Sequence, residues 1–212
     1  MTRTLKTLAA TAALATSLAV GACSSNDTTS GHQMPGDSMT AMGSAPATPS
    51  GAASAASAHN QADITFASSM VPHHQQAIEM ADLALRQATS ADVKKLATQI
   101  KAAQDPEIAT MTGWLTSWGA APMPSGDHDM DGMSMDGMMS AEEMSALEKA
   151  SGSAFDRMWL QLMIKHHEGA VTMARTQLSQ GQSGDAKELA QAVIDGQTKE
   201  IATMTELLKT SL

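Results

Sequence analysis

Residues 70–81 read Met70-Val-Pro-His-His-Gln-Gln-Ala-Ile-Glu-Met-Ala81, and residues 163–174 read Met163-Ile-Lys-His-His-Glu-Gly-Ala-Val-Thr-Met-Ala174. The shared pattern is Met-x-x-His-His-x-x-Ala-x-x-Met-Ala, offset by 93 residues, and it takes four of the seven histidines. Working outward at the same offset, Asp63 falls on Asp156, Phe66 on Trp159, Ser90 on Ser183 and Gln104 on Gln197. The run Glu107-Ile-Ala-Thr-Met-Thr112 falls on Glu200-Ile-Ala-Thr-Met-Thr205. An ungapped comparison of 63–115 with 156–208 gives 22 identities in 53 positions. Self-similarity at that level predicts two copies of one supersecondary unit.

Each copy has the period of a helical hairpin. Phe66, Met70, His73/His74, Ala77, Met80/Ala81 and Ala84 recur at steps of three and four, which is one face of an α-helix. Leu96, Ile100, Gln104, Glu107/Ile108, Met111 and Leu115 do the same further on. Ser90 and Ser183, each with Asp two residues later, are expected N-caps. Helices are predicted at 61–88, 91–118, 141–180 and 184–211. Pro72 and Pro106 each remove a backbone donor and should kink or break their helices. No stretch alternates with the two-residue period of a strand. The expected fold is all-α, a four-helix bundle of two tandem hairpins.

The flanking segments are of a different kind. Arg3 and Lys6 precede an apolar stretch, Leu8–Val20, that matches a secretory signal and is too short for a membrane span. It ends in Val20-Gly21-Ala22-Cys23. This resembles a bacterial lipoprotein signal, so residues 1–22 are expected to be removed and Cys23 lipidated. Cys23 is the only cysteine, which leaves it without an intramolecular partner. The protein is thus expected to be exported and lipid-anchored to the outer face of the cell membrane. Residues 23–60, rich in Ser, Ala, Gly, Thr and Pro, read as a disordered tether, and the domain occupies 61–212. Without residues 1–22 the chain carries 11 basic and 22 acidic side chains, a formal charge of −11. That argues against nucleic acid as a partner. Homo-oligomerisation is left open.

The chemistry suggested is that of a soft metal. Met70, His73, His74 and Met80 lie within one helix face, as do Met163, His166, His167 and Met173. Imidazole with thioether favours copper, above all Cu(I), and by the same softness Ag(I). A lone His of this kind is more often a hydrogen-bonded core residue, with Met as filler; the paired, duplicated arrangement favours metal. Adjacent histidines point about 100° apart on a helix, so one of each pair, His73 and His166, is expected to face the core centre. Glu107/Met111 and Glu200/Met204 are further candidates, as ligands, as carboxylates orienting a His, or as polar contacts between helices. The segment 119–140 reads as a loop and carries His128, Met130, Met133, Met135, Met138 and Met139, a mixture suited to capturing Cu(I) where a thiol would oxidise. A dinuclear oxidoreductase is the rival reading for such a bundle. It needs Glu three residues before each His, where this chain has Met70 and Met163. A structural or interaction bundle without metal is the third. No nucleophile elbow or phosphate loop is present, so no catalytic residues are assigned.

The two Met-x-x-His-His-x-x-Ala-x-x-Met-Ala motifs, each preceded by an aromatic residue (Phe66, Trp159), resemble the bacterial family known as domain of unknown function number 305. The resemblance spans about residues 60–211. It implies a ferritin-like bundle in secreted or lipid-anchored proteins, some of them associated with copper binding and copper tolerance. Carried over motif by motif, it singles out His73, His74, His166, His167, Met70, Met80, Met163 and Met173.

Overall fold

The computed structural model describes residues 58–124 and 136–210. Cys23, the signal segment and nearly all of the tether lie outside these residues, as do His128, Met130, Met133 and Met135. The described residues form five helices and no strand: α1 (Gln61–Gln87), α2 (Ala91–Ser117), α3 (Ala141–Lys149), α4 (Gly152–Gln180) and α5 (Gly184–Thr210). The four long helices make the expected all-α bundle. No helix among the described residues is long and apolar enough to cross a membrane.

Local chemistry sets the helix ends. Asn60 caps α1 and forms a reciprocal capping box with Asp63. Ser90 accepts from the Val93 N–H at the start of α2, and Ser183 accepts from Ala186 at the start of α5. One boundary differs from expectation. The predicted helix 141–180 is two helices, because Ala150 and Ser151 are extended and Gly152 enters α4 at φ +60. That left-handed conformation suits glycine and cannot continue α3. The short α3 then folds onto α4 through Leu147 and a 2.7 Å pair between Lys165 Nζ and Glu143 Oε1.

The prolines break neither helix. α1 runs unbroken through Pro72, and α2 through Pro106. The missing N–H at Pro72 leaves the carbonyl four residues earlier without its helical donor. That carbonyl, Ser68 O, accepts the backbone N–H of Met123 at 2.9 Å instead. A helix defect has become the attachment point for the chain leaving α2.

α1 packs against α2, α4 packs against α5, and α1 and α4 pack on each other, while α2 and α5 barely touch. α1 and α4 run antiparallel, since Asp63 meets Gln177 at one level and His73 meets His166 at another. Two buried carboxylates tie the hairpins together. Asp63 of α1 accepts from Gln177 of α4 and from the Gln182 and Ser183 amides in the α4–α5 turn, at 2.5–3.1 Å. Asp156 of α4 accepts from the Thr89 hydroxyl and from the Thr89 and Ser90 amides in the α1–α2 turn. Each hairpin's turn is thus satisfied by an acid from the other hairpin, which fixes α1 against α4 and so positions the histidines.

The apolar core is divided in two. One cluster gathers Met80, Ile100, Met139, Trp159, Met163 and Met204. The other gathers Phe66, Met70, Met111, Leu115, Ala174 and Val193. The histidines of α1 and α4 lie between them.

Candidate metal centre

All four motif histidines are fully buried, with 0 % exposure. His73 and His166 meet across the α1–α4 seam with ring centroids 3.7 Å apart. Their neighbours turn aside but stay inside: His74 Nε2 lies 2.7 Å from Glu107 Oε2 on α2, and His167 Nε2 lies 2.7 Å from Glu200 Oε2 on α5. The expectation that His73 and His166 face the centre thus describes half of the layout. The 100° offset turns the other two toward a carboxylate on the partner helix.

Acceptor chemistry fixes most of the tautomers. The Asp136 carbonyl, 3.2 Å from His73 Nε2, can only accept, so Nε2 carries the proton. A carboxylate likewise accepts a hydrogen bond from His74 Nε2–H and from His167 Nε2–H. This arrangement, an imidazole oriented through one nitrogen by an oxygen acceptor, is the usual support for a metal-ligating His. At His73 it leaves Nδ1 as the free donor atom of a neutral ring. His73, His74 and His167 each have a buried Nδ1 without a hydrogen-bond partner, and at His166 both nitrogens lack one. Gln104 and Gln197, on α2 and α5 one turn before the two glutamates, also have both amide atoms buried and unpartnered. Unpaired buried polar groups are costly and rare. Their concentration around the histidines makes this layer the candidate ligand site.

The electrostatics keep the central pair neutral. Burial holds His73 well below the ordinary imidazole range, and like charge at His74 and His167 adds to this against the opposing Asp136 bond. His166 is held well below for the same first reason, with His73, His167 and His74 adding to it against an opposing contact with the His73 backbone. A neutral imidazole is the form that binds metal.

The remaining candidates divide. Met70 and Met111 lie in the core cluster on one side of the histidines, and Met80, Met163, Met204 and Met139 in the cluster on the other. Met173, although it matches the fully buried Met80 in the motif, is only partly buried. Met138 is half-buried in the returning loop. Among the described residues no three His, Cys, Asp or Glu side chains stand as a ready-made ligand set. The closest-set imidazoles are the His73–His166 pair, and the neighbouring core clusters hold thioethers. Few, soft donors suit Cu(I) and Ag(I) far better than hard cations.

Three residues other than the motif's fixed positions shape this layer. The returning loop lays Asp136–Met139 across α1 and α4. Gln76 holds it by a two-way amide pair, donating to Met139 O at 2.9 Å and accepting from Met139 N at 2.7 Å. The position of Gln76 is Gly169 in the second copy, and that glycine makes the crossing possible. A Cβ at Gly169 would lie 2.7 Å from Gly137 Cα, and one at Gly137 would lie 2.8 Å from Lys165 O and 2.9 Å from His166 O. Gly137 also sits at φ +83. The signal was present in the sequence as a departure from the repeat. Gly169→Ala is expected to push the strap off α4, breaking the Asp136–His73 bond and costing about 2 kcal/mol or more. Chemical denaturation would measure it, with faster amide exchange at Met139 as the local sign.

The chain matches the family described as Domain of unknown function (DUF305) over residues 63–208. No curated protein is significantly similar to it. Among solved structures, a DUF305 protein of Streptomyces coelicolor, described as secreted, is 35 % identical with a TM-score of 0.62. That match covers 70 % of this chain and 92 % of the other. A DUF305 fragment from Deinococcus radiodurans is 29 % identical with a TM-score of 0.64, covering 71 % and 97 %. CopM in its Cu(II)-bound form is 34 % identical with a TM-score of 0.61, again covering 71 % and 97 %. CopM has also been solved in Cu(I)-bound, silver-bound and apo forms. With a match over more than half its length, the chain belongs to the DUF305 family.

Proposed function

We propose that this protein is an exported, lipid-anchored copper-binding protein that buffers or sequesters Cu(I), and Ag(I) with it, through His and Met donors of the bundle. The observation that carries the reading is the buried His73–His166 pair. It sits in a layer holding five imidazole nitrogens without hydrogen-bond partners, between two thioether-bearing clusters. The Cu(I)-, Cu(II)- and silver-bound forms of CopM, 33–34 % identical to this chain, support copper as the class of ion. His73 and His166 are the central ligands in this reading, and Met70 and Met163, one turn before them, the nearest motif thioethers on the same helices. Glu107 and Glu200 orient His74 and His167. The segment from Cys23 to the bundle serves as the tether to the membrane's outer face. The Met-rich segment with His128, Met130, Met133 and Met135 raises the local density of soft donors.

A dinuclear oxidoreductase would need more acid than this layer contains. Its two glutamates are each already engaged by a histidine.

The test is competition for Cu(I) between the mature chain, carrying Cys23→Ser, and a chromogenic chelator. Binding tighter than micromolar is expected, weakened at least 100-fold in His73→Leu/His166→Leu. Absence of competition, or equal affinity in the variant, would overturn the reading.

A further inference from the structure

A groove of about 380 Å³ runs along the α1–α4 seam. Thr65, Phe66 and Ser69 of α1 line it from one side and Thr172 and Met173 of α4 from the other. Asp136 also lines it, and the Asp136 carbonyl is the group bonded to His73 Nε2. One residue, Asp136, therefore lies between the groove and the central pair. Ser69 lies one turn before His73 on α1, and Met173 two turns after His166 on the antiparallel α4, so the step from groove to pair is one to two helical turns, roughly 6–10 Å.

Two thioethers stand at this groove: Met173 lines it while packing against the second core cluster, and Met123 lies against Ser69, which lines it. Met173 is only partly buried, whereas its counterpart Met80 is sealed in the core. Met123 is half-buried, with its sulfur 3.6 Å from the Ser69 hydroxyl. Its backbone is fixed there by the carbonyl that Pro72 frees, Met123 N to Ser68 O at 2.9 Å. The second copy has Lys165 at that position and offers no such attachment. The proline thus holds one particular methionine over one particular groove.

We propose that Met123 and Met173 form a transfer site for a soft monovalent cation, Cu(I) or Ag(I), through which the ion passes along the groove to His73 and His166. This rests on the copper-binding reading above. Thioethers retain a soft ion as it gives up water, and the hydroxyls of Thr65, Ser69 and Thr172 offer weak oxygen donors along the way. The step is ligand exchange only, with no change of oxidation state.

The experiment follows Cu(I) leaving a chromogenic chelator complex for the mature chain in a stopped-flow instrument, with the equilibrium end point read from the same traces. Met123→Leu/Met173→Leu keeps side-chain volume and is expected to slow uptake at least tenfold while leaving the affinity of the His pair unchanged. Pro72→Ala restores a helical N–H to Ser68 O, displaces the Met123 amide without removing a thioether, and is expected to slow uptake as well. Equal melting temperatures would show that the variants are folded. Wild-type uptake by the double Leu variant overturns the transfer site, and so does loss of the tight equilibrium binding in it, since the thioethers would then belong to the final site. Unchanged affinity in His73→Leu/His166→Leu overturns instead the reading on which the proposal rests.

Discussion

Saturating Ag(I) is expected to raise the melting temperature of the metal-free protein by about 10 °C. A ligand that binds only the folded state at a free concentration about 1,000 times its Kd adds about 4 kcal/mol. For a domain of this size each kcal/mol is worth roughly 2–4 °C. The fold supplies the necessary difference between states. His73 and His166 are brought to a 3.7 Å centroid separation from residues 93 apart in the chain, and only the folded bundle does this. Thioethers that bind in both states contribute nothing. His73→Leu/His166→Leu is the decisive control. It removes three unpartnered buried nitrogens and fills their space with apolar volume, so at pH 7.5 the variant should be at least as stable as the parent without metal. Its melt should then be indifferent to Ag(I). Calorimetry of both proteins with and without Ag(I) checks this, and an equal rise in the variant would count against the central pair.

The bundle was legible in the sequence because the repeat and the helical period agree, and the same face carries both the core and the histidines. Less was readable wherever the two copies differ. Pro72 against Lys165 looked like a helix defect, and its effect depends on a chain segment 51 residues further on, at Met123. Gln76 against Gly169 is visible as a departure from the repeat but not interpretable from it, because each is explained only by the strap that crosses them. The break before Gly152 was missed because Ala and Ser on either side do not interrupt an apolar period; the backbone angle does. Identity between the copies thus encodes the bundle and its His layer. Departure from identity encodes how the connecting segment lies on top of it, and that is information about contacts far apart in sequence.

The metal-free protein should lose stability steeply as pH falls from 6.5 toward 5. In the unfolded chain His73 and His166 titrate near the ordinary value of about 6.5. In the folded chain burial, first of all, keeps both well below it. Below 6.5 the unfolded state therefore binds more protons than the folded one, and acidification favours unfolding. Above about pH 7.5 both states are neutral at these positions and they contribute almost no pH dependence. Each depressed histidine makes the slope up to about 1.4 kcal/mol per pH unit. The pair should thus remove up to about 3 kcal/mol between pH 6.5 and 5, set against the 5–15 kcal/mol typical of a domain. Asp63 acts in a different window. Burial raises its pKa, but the Gln177 side chain and the Asn60, Gln182 and Ser183 backbones outweigh that and lower it. Its contribution is therefore present above the ordinary carboxylate range and lost only as pH falls below it, outside the interval tested. Urea denaturation at half-unit steps from pH 7.5 to 5 would measure the slope, and His73→Leu/His166→Leu should flatten it while leaving the parent's stability above pH 7 matched or exceeded. An unchanged slope in the variant would mean that other groups carry the acid sensitivity, and that the two imidazoles are not held neutral by the core.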